Sequence, residues 1–345
     1  MQKKFTLDYS EFYVTNVCNL NCSNCNRYNN YNFKGHWRWQ DHEADYQKWS
    51  EILHINRIGI IGGEPLLNPD FPNWVEGLAS LWPDSKLQII TNGTQMKLLK
   101  KHLPTIRKYS SRTLIDISVH NCDWMSQIIQ DAKALLHSES ERIISWDIDN
   151  ETWQNSYNKI KENDWPLCPT YQDFKNLPIS IQKECKQLHN FDDKIYASEN
   201  FVTHLEDDDG LKFVITPSIY FENSALIRNE QNTLRFHKSD PQLAVSVCPF
   251  KPCHHFMGGK LYKCGPVGLF PEFVKQFVVE RDSEQDKLIH SYVPAEHNWS
   301  DEILQKFVEG LVSGSAIDQC SLCPETLEPT RFKAGTNKIK IKQIT

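Results

Sequence analysis

No stretch of this sequence stays apolar for the roughly 20 residues that a bilayer-crossing helix needs. The opening residues, MQKKFTLDYSEFY, also lack the apolar core of a secretory signal. A cytoplasmic protein with no membrane partner is therefore expected. An excess of positive charge is missing too: 38 Lys and Arg stand against 44 Asp and Glu, a net charge of -6. That balance gives no general attraction to nucleic acid, which is not an indicated partner. The chain has no internal repeat. What it does not lack is cysteine, with 11 in 345 residues. In a reducing compartment such thiols are expected as free groups, metal ligands or catalysts rather than disulfides.

The first part of the chain alternates short apolar runs with amphipathic stretches. Strands are expected at 11–17, 57–61, 87–92 and 113–119, with further ones at 142–148 and 211–221. Between them Asp41 is placed to cap a helix bearing Tyr46, Trp49, Ile52 and Leu53. Met96, Leu99, Leu103 and Ile106 form a second stripe, and Asp123 can cap a third with Met125, Ile128, Ala132 and Leu135. This alternation predicts a parallel α/β architecture. Residues 149–210 read as a polar insertion on that scaffold, and EDDDG at 206–210 as a solvated turn. From about residue 236 cysteine, proline and glycine become dense, which places a second, smaller domain there. The final KIKIKQI alternates Lys and Ile, as a lysine-guarded edge strand would.

Cys18, Cys22 and Cys25 lie in VCNLNCSNC, directly after the first expected strand. Thiolates suit both iron–sulfur clusters and zinc. Structural zinc prefers four ligands, often in two CxxC knuckles, and here no fourth cysteine is near. Three thiolates on a cubane would leave one iron open to a small molecule. The next strand ends in IIGGEP, where Gly62 and Gly63 allow close backbone approach to a ligand. Glu64 is available to accept from a cationic amine, and Pro65 stops the strand.

The pair CNLNCSNC and GGEP closely resembles the radical SAM superfamily, as do ITNGT at 90–94 and DISVH at 116–120. The resemblance covers much of the first 120 residues. It implies a partial (β/α)6 TIM-like barrel, a [4Fe–4S] cluster on the three cysteines, and S-adenosylmethionine held through the GGE segment. It further implies one-electron cleavage of the sulfonium to a 5′-deoxyadenosyl radical, which abstracts hydrogen from the substrate. One departure is Asn24, where the family usually carries an aromatic residue. In the fourth strand Asp116, Ser118 and His120 share a face. Ser118 or His120 could reach the cofactor's ribose or the substrate, or simply be hydrogen-bonded residues at the barrel rim. Thr91 and Asn92 are read as the end of strand three.

The C-terminal part supplies Cys248, Cys253, Cys264, Cys320 and Cys323. GGKLYKC reads as a turn and short strand ending at a thiol. A hairpin thiol plus a distant CxxC suits iron–sulfur or zinc equally. The segment resembles the SPASM and twitch domains that follow radical SAM cores, because ten residues separate Cys248 from Gly259 and four separate Gly259 from Cys264. The further cysteines of a full SPASM domain are absent, so the twitch form is the better match. That resemblance implies a second [4Fe–4S] cluster on Cys248, Cys264, Cys320 and Cys323, with Cys253 a spare thiol or substitute ligand. His254 and His255 are expected at the surface, and Cys122, Cys168 and Cys185 as ordinary thiols.

The expected domains are thus residues 1–235, the core, and 236–345, the auxiliary-cluster domain. The expected partners are S-adenosylmethionine, a one-electron donor such as flavodoxin or ferredoxin, and a small-molecule or sugar substrate. Only about ten residues precede strand one, which weighs against peptide modification as the alternative. A non-catalytic protein with two zinc sites is the reading from another class.

Overall fold

In the computed structural model, the described residues are 4–136, 203–218, 220–221, 225–230, 233–326, 330–331 and 334–344. The strand expected at 142–148, most of the insertion, Cys168 and Cys185 lie outside them.

Strand β1 (Phe5–Tyr13) starts earlier than its apolar run, because its outer half alternates buried and exposed residues at a sheet face. It stops at Tyr13, four residues before the expected end. β2 (Leu53–Ile61) begins four residues before its expected start and takes Leu53 from the expected helix stripe, while β3 (Lys86–Thr91) and β4 (Thr113–Val119) follow within a residue of expectation. Helix α1 (Glu43–Ile52) buries Tyr46 and Trp49. Asp41 does not cap it: its carboxylate takes the Arg38 guanidinium, and the cap position is His42. α2 (Phe71–Leu81) buries Phe71, Trp74, Val75, Leu78 and Ala79, the spacing of one helix face. α3 (Met96–Arg107) carries its expected stripe; α4 (Met125–Lys133) carries Met125, Ile128 and Ala132, with Leu135 past its end, and is capped at Trp124 and not by the Asp123 side chain.

β5 (Thr203–Glu206) and β6 (Lys212–Pro217) form an antiparallel pair around the EDDDG turn. That turn is not wholly solvated. Asp207 is buried against Arg107 at 2.7 Å and accepts from the backbone N–H of Asp209 and Leu211. Short strands β7 (Tyr220–Phe221), β8 (Leu226–Arg228) and β9 (Leu234–Phe236) lie outside the main sheet. Then come α5 (Pro241–Val247), the hairpin β10 (His254–Met257) and β11 (Lys260–Tyr262), and α6 (Gly265–Gln276). β12 (Val279–Glu280), α7 (Ser283–Ser291), α8 (Asp301–Val312) and β13 (Thr330–Arg331) complete the described elements.

The main sheet runs β11-β10-β1-β2-β3-β4-β6-β5. Its six inner strands, β10 to β6, are parallel, and both edges are antiparallel. This is the mixed α/β sheet of a partial barrel. One of its parallel strands, β10, comes from the cysteine-rich half and pairs with β1 through Ser10–His254 to Phe12–Phe256. Gly258 and Gly259 both take positive φ in the hairpin turn, as a tight two-residue connection requires. His254 and His255 are consequently buried, not at the surface, because their strand is interior to the sheet. KIKIKQI forms no regular strand either. Its residues pair singly with Asn30 and with 276–278, and Ile339 and Ile341 pack on a core around Phe270 and Phe273.

Candidate active site

The ends of four parallel strands converge on one cavity, the place where such sheets build their sites. After β1 the chain gives Cys18, Cys22 and Cys25. After β2 come Gly62 and Gly63, then Thr91 and Asn92 from β3, and Ser118 and His120 from β4. Seven further residues line it: Leu20, Asn26, Arg27, Asn29, Asn30, Ile61 and Ile90.

The glycines are required by proximity. A Cβ on Gly62 would sit 2.6 Å from the Thr15 carbonyl oxygen. One on Gly63 would sit 2.4 Å from that of Val17 and 2.8 Å from Cys18 Cβ. The cysteine loop therefore rests directly on the GG turn, stitched by Gly63 N–H to Thr15 and Glu64 N–H to Val17. Asn24 adopts a left-handed φ of 54°, which asparagine tolerates better than most residues. That gives its departure from the aromatic pattern a local conformational role.

Glu64 does not line the cavity. It is fully buried beneath it and accepts from Thr91 Oγ1 at 2.8 Å, Asn92 N at 2.8 Å and Leu66 N at 3.2 Å. Its carboxylate therefore pins the GGEP turn to the end of β3 instead of standing free for an amine. Burial outweighs these donors and raises its pKa to about 7. Pro65 opens a short turn behind it. Thr91 and Asn92 do more than end a strand: Asn92 Nδ2 points at Cys18 Sγ from 3.9 Å and donates to Asn19 Oδ1 at 3.0 Å. Leu20 N–H lies 3.4 Å from the same sulfur. Ser118 and His120 both reach the cavity, whereas Asp116, on the same strand, is occupied by Gln88 at 2.7 Å. Burial lowers the His120 pKa, and its Nδ1 meets the Ser218 carbonyl at 2.8 Å.

The three thiols cluster with Leu20, Ala334 and Trp124 in a small apolar nest. Burial raises the Cys18 thiol to about 12, so binding to a metal must displace its proton. Three sulfurs and the bare backbone of two glycines lining one cavity, with hydrogen-bond donors aimed at a sulfur, fit a cubane with an open corner.

A second cavity is lined by Cys248, Cys264, Cys320 and Cys323, with Pro249, Val267 and Lys263. Cys253 is not in its wall and lies toward Glu11 and Arg27. Among the described residues no three His, Cys, Asp or Glu side chains are gathered as a single metal ion would need. Asn26 lines both cavities. Sequence reading passed over Asn26 and Arg27, whose residue types are common in loops; only their position one or two residues past Cys25 marked them.

Residues 12–166, a little under half of the chain, match the model of the Radical SAM superfamily. That family implies a [4Fe–4S] cluster and S-adenosylmethionine as cofactors. The chain is similar to GTP 3′,8-cyclase of Nautilia profundicola, 35% identical over 105 residues, or 28% of this chain. It spans about a third (31%) of that relative's length. Among solved structures it is similar to BtrN in complex with AdoMet and 2-DOIA: 13% identity, 98% of each chain covered, TM-score 0.37. It is also similar to Streptococcus suis SuiB bound to precursor peptide SuiA, with 18% identity over 46% of this chain and 38% of that one, TM-score 0.31. No helix among the described residues is long and apolar enough to cross a membrane.

Proposed function

We propose that this chain is a radical SAM oxidoreductase or modifying enzyme acting on a small molecule or sugar, with a second [4Fe–4S] cluster on Cys248, Cys264, Cys320 and Cys323. One observation carries the reading: those four thiols face one cavity, and that cavity shares Asn26 with the one holding Cys18, Cys22 and Cys25. Residues 1–235 are then the core and 236–345 the auxiliary-cluster part, joined through the β10–β11 hairpin. A flavodoxin or ferredoxin supplies single electrons.

The second cavity fits a cluster on an independent ground. Tyr28 takes a left-handed φ of 61°, unusual for a bulky residue, and its buried hydroxyl has no hydrogen-bond partner among the described residues. That phenol lies within electrostatic reach of Cys323 and Cys264, so a cluster sulfur there would accept a hydrogen bond from it. Zinc with four thiolates would draw the sulfurs within about 4 Å of one another, given Zn–S bonds of about 2.3 Å.

The cluster with its bound S-adenosylmethionine supplies one-electron cleavage and hydrogen abstraction. The protein does the rest. Gly62 and Gly63 bring bare backbone to the cofactor. Leu20 N–H and Asn92 Nδ2 donate toward Cys18, which stabilises negative charge on its sulfur. Asn26, Asn29, Asn30, Ser118 and neutral His120 present hydrogen-bonding groups suited to a hydroxylated substrate.

Metal analysis after anaerobic reconstitution tests the reading. Wild type should hold about eight irons and C264A/C323A about four, from two cubanes and one. Four irons in both, or zinc at the second cavity, would reject the auxiliary cluster and leave the radical SAM domain unaffected.

A further inference from the structure

The C-terminal segment 334–339 straps the cysteine loop down. Ala334 N–H donates to the His120 carbonyl at 2.9 Å, and Asn121 Nδ2 donates to Ala334 O at 3.2 Å. Asn21 and Gly335 exchange bonds of 3.0 and 2.7 Å, Asn21 Nδ2 donates to Asn337 O at 2.6 Å, and Ile339 N–H reaches Asn30 O at 2.9 Å. Within this strap Lys338 turns inward. Its Nζ donates to the Leu20 carbonyl and, at 2.6 Å, to that of Asn29. It therefore closes a bracket across the loop that carries all three cysteines.

The charge on Lys338 is unmatched. Among the described residues no carboxylate lies within ion-pair distance of it, whereas the other cation near the loop, Arg27, is neutralised by Glu11 at 2.6 Å. A half-buried ammonium needs an anion, because carbonyl oxygens satisfy its hydrogens but not its charge. The groups that feel its field are the thiols of Cys18, Cys22 and Cys25. Ala334 of the same strap packs in their nest.

We infer that Lys338 is the counter-charge of the cysteine-bound cluster: held by Leu20 and Asn29, it favours the reduced cluster and so eases the electron uptake that precedes cofactor cleavage. It is a positioning and tuning residue, and the inference rests on the cluster reading of Cys18, Cys22 and Cys25. A unit charge about 10 Å from a redox centre, at an effective dielectric of about 20, shifts such an equilibrium by about an order of magnitude.

The test is the midpoint potential of this cluster, followed by EPR in a C264A/C323A background so that one cluster reports. K338M and K338Q should lower it by about 60 mV, the tenfold shift of a one-electron couple, and K338R should stay within about 20 mV of wild type. K338Q keeps a donor for the carbonyls without the charge, so a wild-type potential in that variant would overturn the inference and leave a mere brace. If K338M and K338Q both fail to assemble iron while K338R assembles it, the charge is needed even earlier, to gather three thiolates, and the inference stands. Failure of K338R alongside them would overturn it. An iron-free wild type would instead reject the cluster reading itself.

Discussion

Arg27, two residues beyond the last cysteine of the cluster loop, donates to Glu11 of β1 at 2.6 Å, so the loop is tied ionically to the first strand of the sheet. Glu11 also accepts from Tyr9 Oη at 2.9 Å and meets His255 Nε2 from β10. Burial alone would raise the Glu11 pKa, but Arg27 and His255 hold it well below the usual carboxylate range. Burial lowers the pKa of His255, which therefore donates as a neutral ring. Loop, first strand and cysteine-rich half thus meet at one carboxylate.

Removing one member of that pair leaves a buried charge alone. R27M should cost about 3–5 kcal/mol of folding free energy, and E11Q/R27M should recover at least half of the loss. Denaturant unfolding of the metal-free protein measures both. Equal losses in the single and double variants would show that packing, not charge, sets the effect.

Gly63 separates the GG turn from the cysteine loop by less than a methyl group's width. G63A forces backbone apart at Val17 and should cost about 1–3 kcal/mol while weakening S-adenosylmethionine binding at least tenfold. Gly310, inside α8, has nothing within 4 Å of the same added atom. G310A should stabilise by about 0.5–1 kcal/mol with no effect on binding. Equilibrium dialysis and thermal unfolding compare the two.

Glu64 gives a pH signature. Its pKa is raised from 4.5 to about 7, so the folded state holds its proton more tightly than the unfolded chain does. This carboxyl therefore contributes most below pH 4.5, and its contribution is lost as pH rises toward 7, by about 3 kcal/mol in all. E64Q cannot ionise. The stability difference between wild type and E64Q should move in favour of E64Q from pH 5 to pH 7.5, as read by urea titrations. A flat difference would mean that Glu64 is ionised throughout, held so by Thr91, Asn92 and Leu66.

The parallel sheet was legible because β2, β3 and β4 are apolar runs that end in GG, TN and VH, and those ends are the site. The three cysteines and the glycine pair were legible for the same reason: rare residue types at fixed spacing. Glu64 was misjudged because an acid beside glycines looks solvent-accessible in sequence, while its partners Thr91 and Asn92 lie a whole strand away. His254 and His255 were misjudged because β10 enters the sheet beside β1, a pairing across more than 240 residues that no local pattern announces. Lys338 was hidden in an alternation that reads equally well as an edge strand.

Cofactor cleavage tests the central claim most directly. Reconstituted protein incubated anaerobically with dithionite and S-adenosylmethionine should release 5′-deoxyadenosine and methionine in equal amounts. C22A should release neither, because burial in the loop leaves that position without a substitute thiol. Iron-loaded wild type that forms no 5′-deoxyadenosine, or C22A that forms as much, would contradict the account.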